Sequence, residues 1–505
     1  MAELPASVVE AFVGHAKRTP ERTCLLFEGD EWSYGCLLER AEGFAAALGR
    51  QGIVKGERVA LFLGNSPDFL AAYLGTHLAG AVIVPVNTAY KRTELRHIFD
   101  DAVIRLCLTD GERRPELEGV RESLPELETV VEVGEDMDKF LAEAGPYKRV
   151  LPQGDDLANI AYTSGTTGRS KGAMLLHRNL VANVVAVCEA WRWEQRDHLL
   201  LTLPLFHTHG LTVGAHGTFF TGASAELHRR FDADAVYNAL LVGETTMFFG
   251  VPTMYTRLLR EARSRDERLG PLRLYVAGSA PLSPAAFAEF EELFGERILE
   301  RYGMTETGMN LTNPYDGERR PGTVGGPFPG QEARVAGVKS REVLEPEEVG
   351  EIEVRGAHVF AGYWRRPDAT EESLGADGWF RTGDLGSVSD DGYYTITGRA
   401  KELIISGGYN VYPREVEEVL ESCPGVAEVA VVGLPDEEYG EKVAAAVVRD
   451  DPGLEAGKVM DFCRDDLAGY KRPREVVFVD ELPRNALGKV QKHLVREGLV
   501  EGEVN

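Results

Sequence analysis

Between residues 20 and 240 the chain alternates short apolar runs with helical patterns. ERVALFLG (57–64), AVIVPV (81–86), IRLCLTD (104–110) and HLLLTLPL (198–205) read as buried strands. SYGCLLERAEGFAAALGRQG (33–52) spaces its apolar residues for one helix face and ends on a glycine stop. TMFFGVPT (246–253), LRLYVAGSAPL (272–282) and RILERYGMT (297–305) continue the alternation. Strands alternating with helices predict α/β layers on largely parallel sheets. FLAAYLGTHLAGAVIVPV (69–86) has no formal charge over 18 residues, near the length of a membrane span. Gly75, Gly80 and Pro85 interrupt it, so it reads as a core helix and a buried strand.

Near residue 320 the texture changes. RRPGTVGGPFPG is turn-rich, and the short runs EIEVRG, GWFRTGDLG and GYYTITGRAKELIISGG predict β-hairpins in a smaller, barrel-like section. After residue 400 the helix REVEEVLESC, the strands VAEVAVVGL and KVAAAVVRD and the helix KVMDFCRDDLA predict a compact α+β unit. GRAKELI is the expected junction, dividing the chain into residues 1–398 and 399–505. No repeat or low-complexity segment is present.

The 505-residue length allows two to four domain-sized units, and 43% hydrophobic with 27% charged residues is the composition of a globular protein. A formal net charge of −26 argues against nonspecific binding to nucleic acid or to anionic membrane. It leaves small anionic ligands open, because these respond to local fields. Cys24, Cys36, Cys107, Cys188, Cys423 and Cys463 form no close CxxC pair and read as buried thiols of a cytoplasmic protein. MAELPASVVEAF has no charged region followed by an apolar run, so no signal peptide is expected.

YTSGTTGRSKG (162–172) follows the apolar run LANIAY. Its hydroxyls, its exposed amides, Arg169 and Lys171 suit phosphate oxygens, although the Walker A pattern cannot be laid on it. Taken alone it could equally be a flexible surface loop. Its extended form, YTSGTTGRSKGAMLLHRNL, resembles the signature of the adenylate-forming enzymes, which include acyl-CoA synthetases, luciferases and peptide-synthetase adenylation domains. GSAPL (278–282), RYGMTETG (301–308), GWFRTGDLG (378–386), GRAKELIISGGYNVYPREVE (398–417) and PRNALGKVQK (483–492) match further family motifs in family order, over nearly the whole chain. The resemblance implies a large N-terminal domain of two layered sheets plus a distorted β-barrel, and a small mobile α+β C-terminal domain.

It also implies two half-reactions: a carboxylate attacks the α-phosphate of ATP, and CoA then displaces AMP from the acyl-adenylate. Two anions meet in the first step, so fixed positive charge is required. By the resemblance, Lys489 bridges carboxylate and phosphate, Thr305 contacts the α-phosphate, and Glu306 is the carboxylate linked to Mg2+. Thr163, Ser164, Gly165, Thr166, Thr167 and Lys171 would hold the phosphates. Ser279, Ala280 and Pro281 would line the nucleotide pocket, and Tyr302, otherwise a core aromatic, would stack on adenine. Asp384 and Arg399 would take the ribose. Lys401 would be the hinge, and Gly407 and Gly408 would let the pantetheine arm pass close to backbone. Lys471, with Lys442 and Arg472, could meet CoA phosphates or be solvated surface charge.

Arg301 replaces the glycine of many relatives with fatty or aromatic substrates. A buried arginine needs an anionic partner, either a second substrate carboxylate or a neighbouring Glu or Asp. RYGMTETGMNLTNPYDGERRPGTVG and PLFHTHGL (204–211) further resemble malonyl-CoA synthetases. By that likeness His207, Thr208 and Met309 shape a small pocket for malonate or methylmalonate, although His207 could instead be a packed gating histidine. The alternatives are a synthetase for medium-chain or aryl acids and a stand-alone domain loading a carrier protein. A light-emitting oxygenase would need oxygen and a luciferin. Lys489, Glu306 and Asp384 together disfavour a non-catalytic binding module.

Overall fold

The computed structural model describes residues 4–142, 149–163, 170–267, 269–270, 272–436, 438–464, 466–484 and 489–501. Among the expected site residues, Ser164, Gly165, Thr166, Thr167 and Arg169 lie outside them. The chain forms two compact units, Met1–Ala333 with Val354–Phe380, and Arg334–Glu353 with Arg381–Asn505.

The first unit holds two large sheets. A six-stranded sheet runs in the order Thr129–Glu132, Ile104–Thr109, Arg58–Phe62, Val82–Pro85, Leu157–Thr163, Lys171–Leu176. Its first five strands are parallel and the last is antiparallel. A nine-stranded sheet places Thr23–Phe27, Ser224–Leu227, His198–Leu201, Met247–Gly250, Leu274–Ala277 and Leu299–Met304 side by side in parallel. Antiparallel strands finish both of its edges. These edges complete the largely parallel sheets expected from the alternation.

The uncharged stretch 69–86 is accounted for by the helix Pro67–Leu78, every residue of which except Asp68 is buried, and the strand Val82–Pro85. No helix among the described residues is long and apolar enough to cross a membrane. Helix Tyr34–Arg50 begins at Ser33, whose hydroxyl accepts from Cys36 N at 3.1 Å. It packs on Pro67–Leu78 so closely that a Cβ at Gly75 would lie 2.4 Å from the Ala41 carbonyl. Gly75→Ala must push two helices apart. It is expected to cost about 1–3 kcal/mol, read as a lowered denaturation midpoint.

Two expectations need correction. HLLLTLPL is a strand only through Leu201. Beyond it the chain turns at Pro204, whose carbonyl accepts from His207 N at 3.2 Å, into a π-helical segment His209–Ala215. The cysteines are unpaired, but Cys36 is exposed; Cys188 is half-buried as a residue, and burial of its thiol pushes that group up.

A histidine network fills the space behind the six-stranded sheet. Tyr73 Oη lies 2.8 Å from His216 Nε2, and Asn159 Nδ2 donates to Tyr73 Oη at 3.4 Å. His77 Nε2 reaches Asn159 Oδ1 at 3.2 Å and sits edge-on to His177. Burial pushes His77 down to about 4 and His216 to about 3. These imidazoles stay neutral in the fold but take protons on unfolding, so they favour the unfolded chain as pH drops below the ordinary histidine range. Stability is therefore complete above about pH 6.5 and falls toward pH 4, by roughly 3 kcal/mol per histidine at full titration. Denaturant unfolding at pH 7.5, 6 and 5 is expected to give this slope, and His77→Gln to reduce it.

The second unit carries most of a four-stranded sheet, Glu332–Ala336, Gly350–Arg355, Phe380–Val388 and Tyr394–Arg399, the last two forming an antiparallel hairpin. Its other sheet has five strands: Tyr409–Val411, Ile404–Ser406, Gly440–Arg449, Val426–Asp436 and Glu475–Phe478. Helices Pro413–Glu421, Ala456–Phe462 and Lys492–Glu501 accompany it. The helix expected over KVMDFCRDDLA stops at Phe462, after which buried Cys463 and Leu467 turn into the core.

Candidate active site

In the first unit, Leu157–Thr163 and Lys171–Leu176 are antiparallel neighbours, with Thr163 opposite Lys171. The described ends of the signature, Thr163 and Lys171, therefore lie side by side on neighbouring strands. The return strand is held on its other side by residues 361–364: Met174 N donates to Gly362 O at 2.9 Å and Trp364 N to Gly172 O at 2.7 Å. Gly172 allows this layering, since a Cβ there would meet Ile160 at 2.5 Å.

Thr305 and Glu306 occupy the turn between strands Leu299–Met304 and Gly308–Thr312. Gly308 needs its φ of +68°, and a Cβ there would strike Asn183 at 2.6 Å. Glu306 is buried; its carbonyl accepts from Phe360 N at 2.9 Å, and its Oε1 accepts from Tyr363 Oη at 2.9 Å. Tyr302 is half-buried two residues before Met304, to whose sulfur its hydroxyl points at 3.8 Å. Ser279 and Ala280 are half-buried and Pro281 is exposed. Ser279 holds a φ of +72°, a strained conformation for a residue with a side chain.

A pocket lined by Asn159, Tyr162, His207, Thr208, Thr212 and Thr305, among others, brings three of the expected residues together. His207 keeps some open surface on this pocket, yet the protein closes round its ring. Burial and then the Arg301 charge push it down to about 4, so it is neutral at pH 7. Met309 is buried behind the turn, its methyl 2.7 Å from where a Cβ on Gly303 would stand.

Arg301 is 3% exposed. Its Nη2 donates to Ser279 Oγ at 3.3 Å, its Nε has no hydrogen-bond partner, and no carboxylate pairs with it among the described residues. The neighbouring Glu300 turns away, accepting from Leu282 N and Gly322 N. Burial pushes the Arg301 guanidinium down to about 9. Gly278 makes the space for it: a Cβ there would lie 2.6 Å from the guanidinium carbon.

In the second unit, Asp384 and Arg399 face each other across the hairpin, with Arg399 Nε 3.0 Å from Asp384 Oδ1. Lys489 joins them. Its side chain has solvent access, but protein crowds the ammonium; that crowding, then the Arg399 charge, holds it below the ordinary lysine range. Asp384 and Glu402 pull in the other direction. Lys401 is exposed in the short turn Ala400–Glu402. Gly407 and Gly408, with φ of +59° and +82°, form a two-residue hairpin turn between Ser406 and Tyr409. Two positive φ values in succession make glycine the natural choice for both. Lys471 is paired with Glu415 at 2.5 Å and Lys442 with Glu475 at 2.6 Å, so neither is a bare surface charge. The Arg472 guanidinium donates to the carbonyls of Leu467 and Arg464.

Residues 12–364 match the family model of the AMP-binding enzyme, and residues 415–489 match that of the AMP-binding enzyme C-terminal domain. The chain belongs to the AMP-binding enzymes. It is 33% identical to the malonate–CoA ligase of Arabidopsis thaliana, covering 98% of this chain and 89% of that protein. It is 37% identical to the sulfoacetate–CoA ligase of Cupriavidus necator, covering 94% and 95%. The crystal structure of ATP-bound MatB from Rhodopseudomonas palustris superposes with a TM-score of 0.90 at 40% identity, covering 97% and 98%. The protein is thus an ATP-dependent, AMP-forming acyl-CoA ligase.

Several residues of the ligase's site carried no sequence signal. Tyr363 is one aromatic in a turn-rich segment, and Thr212 and Asn159 are single polar residues in apolar runs. Gly278 was legible only as part of GSAPL, without its relation to Arg301.

Proposed function

We propose that the ligase activates malonate, forming malonyl-CoA through a malonyl-adenylate and releasing pyrophosphate and then AMP. The observation that carries this reading is Arg301, a buried guanidinium with no carboxylate partner among the described residues. Leaving such a charge unpaired is costly, and a bidentate carboxylate from the substrate would offset the cost. His207, Thr208 and Met309 would limit the pocket to a short acid. Sulfoacetate, named for one relative, also pairs a carboxylate with a second anionic group, so the same guanidinium suits it.

In the first step Lys171 and the signature loop would hold the phosphates, Thr305 the α-phosphate, and Asp384 and Arg399 the ribose. Lys489 would neutralise the approach of carboxylate to phosphate. Mg2+ is a hard ion that takes one or two carboxylates and fills its sphere with phosphate oxygens and water. Glu306, a buried carboxylate at the turn beside Thr305, fits that demand; no group of three or more candidate ligands exists among the described residues. For the second step, rotation about Lys401 would withdraw Lys489 and bring Gly407 and Gly408 to the thiol. Lys471 would leave Glu415 for a CoA phosphate.

The test is pyrophosphate release with ATP, Mg2+ and CoA, comparing malonate, methylmalonate, sulfoacetate, acetate, octanoate and 4-coumarate. Malonate is expected to exceed acetate, octanoate and coumarate by at least tenfold in kcat/KM. A preference for octanoate or coumarate would assign Arg301 a structural role. Thioester formation with free CoA alone, without a carrier protein, separates the synthetase from a carrier-loading domain.

A further inference from the structure

Tyr363 stands between two groups with proposed duties toward ATP. Its hydroxyl donates to Glu306 Oε1 at 2.9 Å, and Lys171 Nζ lies 5.0 Å from its ring centroid. The tyrosine is 8% exposed, and burial, then the Glu306 charge, raises its hydroxyl above the ordinary tyrosine range. Its backbone is fixed on both sides: its N donates to Thr370 Oγ1 at 2.9 Å, and it forms a bridge with Ala173 on the return strand. Phe360, three residues earlier, ties the same segment to the Glu306 carbonyl and packs edge-on to the Tyr363 ring.

We infer that Tyr363 is a positioning residue for nucleotide and metal, aiming the Glu306 carboxylate with its hydroxyl and supporting the Lys171 ammonium with its ring. This inference rests on the roles proposed above for Glu306 and Lys171. A hydrogen bond to a carboxylate is about twice as strong as a neutral one and fixes which oxygen faces outward. A ring face under an ammonium restrains a flexible lysine stem and favours its charged form. The two contacts come from different parts of one side chain, so they can be removed separately. Tyr363→Phe deletes the hydroxyl with its bonds to Glu306 and to Ser373 and keeps the ring, so Ser373→Ala is the control for the second bond; Tyr363→Leu deletes the ring as well.

The measurement is calorimetric binding of α,β-methylene ATP over a range of Mg2+ concentrations, with thermal denaturation alongside. In Tyr363→Phe the Mg2+ concentration for half-maximal binding is expected to rise about tenfold, while metal-free nucleotide binding stays at the wild-type value. In Tyr363→Leu metal-free binding is expected to weaken also, by roughly threefold. Glu306→Gln separates the premises. If it abolishes the Mg2+ dependence while Tyr363→Phe leaves that dependence unchanged, the positioning role is wrong and the metal role of Glu306 stands. If Glu306→Gln itself leaves Mg2+ dependence intact, the metal reading fails first. A Tyr363→Phe variant that loses thermal stability and weakens binding equally with and without Mg2+ would make the tyrosine merely structural.

Discussion

Replacing Arg301 with Met is expected to lower kcat/KM for malonate by on the order of 10²- to 10³-fold, while the denaturation midpoint stays level or rises. The two halves of this result have one cause. In the ligand-free protein the guanidinium is buried, and among the described residues it has a single hydroxyl partner and no carboxylate. It is a standing cost to the fold, which a methionine of similar length would remove. With a dianionic substrate bound, the same charge becomes one member of a buried ion pair, and its loss leaves the partner carboxylate stranded. Acetate has no second carboxylate to strand, so its turnover is expected to change by less than about threefold. Steady-state kinetics on both acids, with calorimetric melting of the free enzymes, checks the prediction. A large fall in midpoint together with equal losses on acetate and malonate would mark Arg301 as structural.

Lys489→Ala carries the second large effect. Malonate-dependent exchange of pyrophosphate into ATP is expected to fall by roughly 10²- to 10³-fold. Thioester formation from chemically prepared malonyl-adenylate and CoA is expected to persist within about threefold, because the lysine is proposed to serve only the step in which two anions meet. Lys489→Arg restores the charge but not the compact ammonium on its flexible stem, so rescue should be partial. The depressed lysine pKa adds a pH signature. The protonated form is the active one, so exchange is lost as pH rises through this pKa, below the roughly 10.4 of an ordinary lysine. Removing the like charge with Arg399→Gln should move that alkaline limb upward in kcat, even as it weakens ATP binding. Equal loss in both half-reactions of Lys489→Ala would contradict the assignment.

The parts of the fold legible in sequence were those where burial writes a period into the chain. The helix Tyr34–Arg50, the strand Arg58–Phe62 and the antiparallel pair Val426–Asp436 and Gly440–Arg449 follow the apolar pattern closely. The return strand Lys171–Leu176 was hidden because KGAMLL is short and begins in the polar signature. The π-helical segment after Leu201 was hidden because its apolar residues, shaped by Pro204 and Gly210, look like a continuing strand. Motif residues could be named from sequence, but not what holds them. That Asp384 faces Arg399, or that Tyr363 touches Glu306 across 57 positions, depends on strand register and on a segment with no period of its own. Arg301 lay in between. Its burial could be anticipated from the run around it, whereas the turning away of Glu300 could not.

Gly278 and Arg301 also constrain how this active site could diverge. With any side chain at position 278 a Cβ would occupy the volume now filled by the guanidinium. Losing the Arg301 side chain would not free position 278, because the backbone carbonyl of residue 301 would still stand 2.8 Å from that Cβ. The glycine is thus held twice over, by the guanidinium and by the chain itself, so residue 301 can change while residue 278 stays fixed.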